Sequence, residues 1–355
     1  MSISLNFFST SDNRLDVAIA AQLDGKISRS QLQKFIMEQG VVVNSLQIFK
    51  PSHKISYGLE IKLNWEENTQ TLDDDLTSKI GIAFQNEDLI VVNKPPGLVV
   101  HAGAGHRGDT LADWLAANYP EQAQMQGEND EGEHDSPHLG GGMVHRLDKD
   151  TQGILLVARN LESLKFFQDQ FRSREVEKRY LTILNGKLDF EIDVDGFQIR
   201  TRRNVLKQYF TLENAENPDI AAKIAKQMPL KGDWRTSHSI FKPLFYCSDT
   251  NQTIVEVQIF TGRMHQIRTQ AEFLGFPLFQ DPLYKVQNDV NLIDLKEKFS
   301  EKLKLTKSEI KNLNKIEFTE KCQNLFGFID RPSFFLKSYS LKIGMKNGEI
   351  KEFGC

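Results

Sequence analysis

Cysteine is scarce in this sequence. Only Cys247, Cys322 and Cys355 occur in 355 residues, and they are odd in number, widely spaced and without a Cys-x-x-Cys pair. This scarcity argues against a disulfide framework and against a cysteine zinc site. Such cysteines are typical of proteins in a reducing compartment, so we expect a cytoplasmic protein.

Long hydrophobic runs are also absent. No stretch approaches the roughly 20 apolar residues of a membrane-spanning helix, so we expect no membrane-embedded segment. The N-terminus lacks the basic region, apolar run and small-residue cleavage site of a secretory signal. With 39% hydrophobic and 26% charged residues, the chain has the composition of a globular protein. Its length of 355 residues predicts two or three folded units.

Charge of one sign is not in large excess either. The formal net charge is −4, so the chain as a whole gives no indication of nucleic-acid binding, and such a function must depend on local patches. One patch lies at 14–63, which contains seven basic and four acidic residues. This segment is therefore the first candidate for a basic surface.

The segment 14–63 is predicted to be a compact unit. Apolar residues recur at helical spacing from Leu15 to Leu23, and Ser28 can cap a second helix, which carries Arg29 and Lys34. Two strands and an acidic, polar linker are predicted to follow, at 41–44, 55–63 and 65–77.

From residue 80 onward the pattern is rich in strands. Short apolar or alternating runs predict strands at 82–84, 89–92, 98–100, 154–157 and 254–259. Asn160 can cap a helix that continues to Phe171. This mixture predicts an α+β domain built on a large, mostly antiparallel sheet. Insertions are predicted at about 120–140 and 200–235, and a helix with a solvated, lysine-rich face at 296–321.

One polar cluster has the character of a catalytic site. His145, Arg146 and Asp148 lie between a glycine-rich approach and the apolar run at 154–157. A carboxylate and a guanidinium at the end of a buried strand are held still, as catalysis requires. An Asp beside an Arg is more often a structural ion pair, so the spacing alone does not decide between the two.

This segment resembles the His-Arg-Leu-Asp-x-x-Thr-Ser-Gly signature of the RluA-type pseudouridine synthases, with Gln152 in place of the serine. Four further blocks are similar to blocks of that family and follow its order: 91–101, 177–180, 261–268 and 275–284. The resemblance implies a catalytic domain over 80–355 with a large mixed, mostly antiparallel sheet. It also implies an isomerase that converts uridine in RNA to pseudouridine.

The N-terminal segment resembles an S4-type RNA-binding domain, a small α/β module that we place at 12–64, with a linker at 65–79. The similar blocks are 14–16, 28–30, 39–44 and 50–51. Asn44-Ser45 stands where the module usually has Asn-Gly. Arg29 and Lys34 are expected to contact RNA from its basic helix.

The family resemblance implies a role for each residue of the catalytic cluster. Asp148 is expected to be the nucleophile, and Tyr180 to stack on the uracil and take the proton from its ring carbon. Arg268 is expected to pair with Asp148 and keep it ionised. Arg146 is expected to fill the gap that the uridine leaves in the RNA stack. The remaining expected substrate or RNA contacts are His145, Arg263 and His265.

The same resemblance implies no cofactor and no metal, because the isomerisation needs neither redox chemistry nor a Lewis acid. RNA is the expected partner, ribosomal RNA of the large subunit first and transfer RNA second. We expect a monomer.

Two alternatives stay open at this stage. Five of the eight histidines fall within 45 residues, and His134 and His138 have a spacing that would suit a metal site on a helix. Glycine and proline in that stretch argue against the helix. The second alternative is a catalytically silent RNA-binding assembly factor, suggested by the divergent segment at 200–235 and the divergent tail at 331–338.

Overall fold

A computed structural model describes residues 2–23, 32–33, 35–36, 40–66, 76–102, 110–123, 125, 140–201, 207–227, 230–285, 290–327 and 334–355. The chain divides into two compact units, Met1–Asp75 and Leu76–Cys355. In the described ranges, no helix combines the length and the apolar character needed to cross a bilayer.

The N-terminal unit is a small sheet with a helix packed on it. Its elements in chain order are β1 (Ser2–Phe8), β2 (Asn13–Arg14), α1 (Leu15–Leu23), β3 (Val41–Val43), β4 (Leu46–Ile48), β5 (Lys54–Ile55) and β6 (Glu60–Glu66). α1 buries Leu15, Ile19 and Leu23 against Ile61 and Leu63, which confirms the helix that their spacing predicted. One sheet has the strand order β1-β6-β3-β4, and β2 pairs with β5.

The boundaries of this unit differ from the predicted ones. β1 pairs antiparallel with β6 from Ser2–Glu66 to Phe8–Glu60, so the folded part begins ahead of residue 12 and includes two residues of the predicted linker. Leu5 and Phe7 alternate with polar residues and pack on the core, a period-two signal of a strand. Ser28, Arg29 and Lys34 lie outside the described residues.

In the larger unit, the described residues form a sheet of 12 strands. Its elements in chain order are β7 (Gly81–Gln85), β8 (Leu89–Lys94), α2 (Leu111–Asn118), α3 (Pro120–Ala123), β9 (Gln152–Ala158), α4 (Leu161–Arg172), β10 (Glu177–Asn185), β11 (Phe190–Thr201), β12 (Gln208–Thr211), α5 (Pro218–Gln227), β13 (Leu230–Cys247), β14 (Gln252–Ile259), α6 (Gln266–Phe273), α7 (Leu292–Lys298), β15 (Leu303–Lys307), β16 (Lys311–Leu313), α8 (Lys315–Phe326), β17 (Leu336–Gly344) and β18 (Ile350–Gly354).

The main path of the sheet runs β12-β11-β13-β14-β10-β17-β9-β8-β7, with β15, β16 and β18 added to β11, β13 and β17. The pairs are antiparallel except β17 with β9 and β16 with β13, which are parallel. The predicted α+β class with a large mixed, mostly antiparallel sheet is therefore confirmed.

Central strands of this sheet are buried on both faces. Leu155 and Val157 of β9 belong to one core cluster, and Ile154 and Leu156 to another on the opposite face. The helix predicted after Asn160 is confirmed as α4, since the Asn160 side chain accepts the amide of Ser163 at 2.8 Å. These strands give the segments that join them a rigid support.

Two predicted elements are wrong. The run 98–100 is not a strand: the Leu98 carbonyl accepts from a lysine ammonium, and the Val99 and Val100 carbonyls accept the first amides of α2. The segment 296–321 is not one helix but contains the end of α7, then β15 and β16, and the start of α8. β15 pairs with β11 because Leu303 and Leu305 alternate with polar residues and face the core.

The predicted insertions are only partly described. The region 200–235 contains β12, α5 and the first residues of β13, and α3 opens the region 120–140. Residues 202–206 and 126–139, with His134 and His138 of the metal alternative, lie outside the described residues.

Candidate active site

Asp148 lies in the loop that leads into β9. All seven residues of β9 are buried, so a rigid strand follows the loop directly. The amide of Thr151 donates to the Asp148 carbonyl at 3.1 Å and closes a turn. The Asp148 side chain stays 21% exposed, so its carboxylate is held in place and is still open to a substrate.

A buried lysine ties this loop to the neighbouring strand. Lys94, the last residue of β8, is fully buried, and its ammonium donates to the carbonyls of Pro95, Leu98 and Lys149 at 3.0, 2.8 and 2.9 Å. A buried ammonium is tolerated only with hydrogen bonds of this kind. Because Lys149 directly follows Asp148, these bonds fix the backbone beside the carboxylate.

Tyr180 lies on β10 and belongs to the core cluster that also contains Leu147. Burial is the main reason that its pKa is raised to about 12; a hydrogen bond with Ser338 lowers this pKa and the negative charge of Asp148 raises it. The structure thus brings Tyr180 and Asp148 into electrostatic range. At neutral pH its hydroxyl is protonated.

Arg268 lies on α6 and does not form the ion pair that the sequence predicted. Its Nε and Nη2 donate to the two carboxylate oxygens of Asp281 at 2.7 and 2.9 Å. Its guanidinium carbon lies 4.2 Å from the centre of the Phe334 ring and 5.0 Å from that of Tyr284. Asp281 is the direct partner of Arg268 because its carboxylate accepts two hydrogen bonds from the planar guanidinium fork.

Asp148 acts on Arg268 over a longer range. Burial lowers the pKa of Arg268, but the hydrogen bond and charge of Asp281 and the charge of Asp148 together raise this pKa above its ordinary value. Glu272, one turn along α6 from Arg268, is not its direct partner either. Glu272 accepts from Lys207 at 2.7 Å.

His265 lies close to the carboxylate of Asp148. It precedes α6 in a left-handed conformation with φ of 56°, and its Nε2 lies 3.9 Å from Asp148 Oδ2. Its Nδ1 lies 3.2 Å from the Tyr284 hydroxyl, which accepts from the Gln208 amide at 2.8 Å. The Tyr284 hydroxyl can donate to Nδ1 in the tautomer that carries the ring proton on Nε2, and it can accept from Nδ1–H in the other tautomer. Burial is the main reason that the pKa of His265 is lowered, although Asp148 raises it.

His145 has a different environment from its neighbours in the motif. Its Nε2 accepts the amide of Leu156 at 3.1 Å, and its ring stacks on Phe171 of α4 at a centroid distance of 4.8 Å. Burial, with a contribution from the charge of Lys178, lowers its pKa to about 3. The imidazole is therefore neutral and packs the loop against α4.

The two arginines expected at the substrate surface differ in how they are held. Arg146 is exposed, and after burial its positive charge is the next cause that lowers the pKa of His101. It also lowers the pKa of His265, so it lies within electrostatic range of that side chain. Arg263 is half-buried, and its Nε donates to the Thr236 carbonyl at 3.0 Å.

Sequence reasoning missed the residues that hold the site together. The Asp148 loop is held by Lys94, Arg268 by Asp281 and Phe334, and His265 by Tyr284. Lys94, Asp281 and Tyr284 stood within the blocks that carried the family resemblance. Their positioning role could not be inferred from the sequence, because their partners are backbone carbonyls or residues that only the fold brings near.

Comparison with known proteins identifies related chains. The model of the RNA pseudouridylate synthase family matches residues 88–273, which include Asp148, Tyr180 and Arg268. An uncharacterized RNA pseudouridine synthase from Helicobacter pylori is 31% identical over 277 residues, which cover 78% of this chain and 76% of that protein.

Two further relatives extend this comparison. The ribosomal large subunit pseudouridine synthase D of Pseudomonas aeruginosa is 31% identical over 279 residues, which cover 78% of this chain and 75% of that protein. Among solved structures, human RNA pseudouridylate synthase domain containing 1 is 17% identical, with a TM-score of 0.48, over 79% of this chain and 84% of that chain.

Proposed function

The chain belongs to the RNA pseudouridylate synthase family and is an enzyme that converts uridine in RNA to pseudouridine, and we propose that Asp148 is its nucleophile. The observation that carries this proposal is the partly exposed Asp148 carboxylate on a loop that Lys94 and β9 hold in place. A carboxylate nucleophile can form a covalent intermediate and so divide one difficult step into two easier ones.

The reaction is balanced without a co-reactant. The bond from ribose C1′ to uracil N1 breaks, the uracil turns, and a bond from C1′ to C5 forms. The proton on C5 leaves, and N1 gains one. Asp148 attacks the sugar or the base and is released when the new carbon–carbon bond is complete.

Tyr180 supplies a flat apolar surface for the extruded uracil. Stacking suits its buried ring, which lies in the core cluster beside the Asp148 loop. Its pKa of about 12 makes the phenolate rare at neutral pH. Tyr180 can therefore take the C5 proton in one of two ways. Either the bound substrate lowers the pKa of Tyr180, or Tyr180 gives its phenol proton to another group at the same time as it accepts the C5 proton.

Arg268 and His265 set the electrostatics around the nucleophile. The positive charge of Arg268 and the negative charge of Asp148 attract each other through space, and Nε2 of His265 lies 3.9 Å from the same carboxylate. Arg146, exposed beside them, fills the vacated position in the RNA stack, as a planar guanidinium can replace a base. Arg263 contacts the RNA nearby, and His145 keeps the loop packed.

Large-subunit ribosomal RNA is the substrate that we propose first, with transfer RNA second. The support is the similarity to the Pseudomonas aeruginosa relative, which is a ribosomal large subunit pseudouridine synthase. Extraction of a base costs a few kcal/mol, which favours uridines in loops or other unpaired positions. No cofactor takes part.

The N-terminal unit completes the proposal. Within the N-terminal unit, we take 12–64 as an S4-like module that contacts RNA through Arg29 and Lys34. β1 adds a strand ahead of this module and pairs with Trp65 and Glu66, so the linker to the catalytic domain at 80–355 is the part of 65–79 that follows Glu66. The excess of basic residues at 14–63 supports this role. A cytoplasmic monomer is consistent with an RNA substrate and with the scarce cysteines.

The test is a map of pseudouridine across ribosomal and transfer RNA from cells with and without the gene. Complementation with the wild type should restore the lost sites, Asp148→Asn should not, and Asp150→Asn, two residues along the same loop, should. Loss of sites from transfer RNA only would overturn the choice of substrate. If no site changes, the RNA-binding assembly factor becomes the better description.

A further inference from the structure

His265 occupies a position that is unfavourable for a histidine. It is the N-cap of α6, its backbone is left-handed with φ of 56°, and its side chain makes no capping hydrogen bond. Side chains other than those of asparagine and aspartate rarely adopt this conformation, and the usual N-caps are short polar residues that bond the first amides of the helix. A local cost of this kind indicates that the side chain serves another purpose.

The imidazole of His265 contacts a polar group with each of its nitrogens. Nδ1 lies 3.2 Å from the Tyr284 hydroxyl, and Nε2 lies 3.9 Å from Oδ2 of Asp148. The side chain is 11% exposed, and its ring meets that of Tyr284 edge to face, with the centroids 5.8 Å apart. One ring nitrogen therefore faces the tyrosine and the other faces the proposed nucleophile.

Tyr284 is itself held in place on two sides. It is 1% exposed, its amide donates to Asp281 Oδ1 at 3.1 Å, and its hydroxyl oxygen accepts the amide of Gln208 in β12 at 2.8 Å. Burial is the main reason that its pKa is raised above the ordinary value, so the hydroxyl keeps its proton at neutral pH. Among the described residues, Nδ1 of His265 is the one acceptor within hydrogen-bond distance of this hydroxyl.

The two tautomers of His265 satisfy these groups unequally. With the ring proton on Nε2, Nδ1 accepts from the Tyr284 hydroxyl, and an N–H faces the carboxylate of Asp148. With the ring proton on Nδ1, the buried hydroxyl loses this acceptor, and the lone pair of Nε2 faces a negative oxygen. A buried donor without an acceptor is unfavourable, so Tyr284 favours the tautomer with Nε2–H.

We propose that His265 is a positioning residue for the nucleophile: its Nε2–H holds Oδ2 of Asp148, and Oδ1 is left to attack. The distance of 3.9 Å is longer than a hydrogen bond, and catalytic hydrogen bonds often tighten when the substrate binds. Burial is the main reason that the pKa of His265 is lowered, so the ring is neutral and orients the carboxylate without cancelling its charge. This inference rests on the proposed function, and no proton transfer is assigned to His265.

Two substitutions separate the two contacts of the ring. The amide of His265→Gln reaches the place of Nε2, so this variant keeps a donor for Asp148 and gives up the contact with Tyr284. The amide of His265→Asn reaches the place of Nδ1, so this variant keeps the contact with Tyr284 and gives up the one with Asp148. Asparagine also suits a left-handed backbone, so His265→Asn should fold as well as the wild type.

His238→Asn is the matched control. His238 also faces a carboxylate, since its Nε2 lies 2.8 Å from Asp193 Oδ1. Asp193 stands on β11 between Ile192 and Val194, which belong to the core cluster of Tyr180, so its side chain points to the opposite face of the sheet. The same substitution there removes a histidine–aspartate contact away from the proposed nucleophile.

The readout is single-turnover pseudouridine formation by the full-length protein, in excess over RNA that carries the mapped uridine. His265→Asn should lower the rate by about 10- to 100-fold, as loss of a hydrogen bond to a charged group does, and leave the affinity for the RNA nearly unchanged. His265→Gln should lower the rate by no more than about fivefold, and His238→Asn should keep the wild-type rate. A rate for His265→Asn equal to or above that of His265→Gln would overturn the positioning role, because the contact with Tyr284 would then be the one that matters.

A second readout does not depend on activity. NMR of the protein with isotope-labelled histidine shows which ring nitrogen of His265 carries the proton, and His265→Asn assigns the signals. We expect the proton on Nε2 and a shift of its signal in Asp148→Asn; a proton on Nδ1, or an unshifted signal, would overturn the inference. If the wild type forms no pseudouridine, the proposed function fails, and the NMR result still decides whether His265 presents Nε2–H to Asp148. If the wild type is active and the proton is on Nδ1, this inference alone fails.

Discussion

Arg268 and Asp281 form a buried bidentate ion pair, with Nε–Oδ2 and Nη2–Oδ1 distances of 2.7 and 2.9 Å. The Asp281 carboxylate also accepts the amides of Leu283 and Tyr284 at 2.9 and 3.1 Å. Asp281 thus anchors the turn that carries Tyr284, which in turn contacts His265. The guanidinium is held before any substrate arrives, and it acts on Asp148 through space.

Asp281→Asn should destabilise the protein and lower its activity. The side chains of the pair are 0% and 7% exposed, and removal of one partner of a buried pair costs about 3 to 5 kcal/mol. Denaturant unfolding measures this loss, and the rate of pseudouridine formation should fall by at least about tenfold, since Arg268 loses its orientation. Asp169→Asn, which breaks the exposed pair with Arg172, should cost less than about 1 kcal/mol. Equal costs for the two variants would contradict the anchoring role.

Lys94→Met should loosen the loop of the nucleophile. The three carbonyls of Pro95, Leu98 and Lys149 would lose their shared donor, and buried unsatisfied groups cost about 1 to 3 kcal/mol each. We expect a fall in Tm and a fall in kcat of about a hundredfold, because small displacements of reacting groups have effects of this size.

Lys149→Ala is the control for this prediction. Lys149 is exposed, and its backbone carbonyl, which the substitution retains, makes the bond to Lys94. Its Tm and kcat should stay near those of the wild type. A Lys94→Met protein with the kcat of the wild type would show that the Asp148 loop is fixed by β9 alone.

The buried His145 should make stability depend on pH. Its pKa is about 3 in the folded protein and ordinarily 6.5, so below pH 6.5 the unfolded chain binds a proton that the folded chain does not. Stability therefore falls as the pH falls from 6.5 toward 3, by up to about 1.4 kcal/mol per pH unit. Above pH 6.5 both states are neutral and the contribution is constant.

His145→Gln retains an acceptor for the Leu156 amide and removes the titration. The difference in unfolding free energy between wild type and variant should shrink by about 2 kcal/mol from pH 7.5 to pH 5. Urea unfolding at both pH values measures it. A difference that is the same at both values would contradict the neutral, buried imidazole.

Much of the fold could be predicted from local patterns. Two local signals are confirmed: the apolar spacing of Leu15 and Ile19 in α1, and the Asn160 cap of α4. The prediction of one helix at 296–321 is wrong, because the many charged residues of this segment hide the alternation of its apolar residues. Leu303 and Leu305 alternate as in a strand, but the lysines around them suggested a solvated helix face.

The candidate site shows a sharper limit. The motifs indicated Asp148, Tyr180 and Arg268, yet the partner of Arg268 could not be chosen from the sequence. Asp281 and Asp148 are both plausible carboxylates, and the choice depends on which one the fold places in the plane of the guanidinium. The role of Lys94 could not be predicted either, since its acceptors are backbone carbonyls, which every residue has.

The central claim is that Asp148 is the nucleophile, and single-turnover pseudouridine formation by purified protein tests it most directly. The substrate is RNA with the mapped uridine, and wild type and Asp148→Asn are compared under excess enzyme, with Asp150→Asn as the control. We predict that Asp148→Asn lowers the rate by a factor on the order of 10⁴ or more, as loss of a nucleophile does, and binds the RNA with nearly unchanged affinity. A rate for Asp148→Asn within about tenfold of the wild type would contradict the claim.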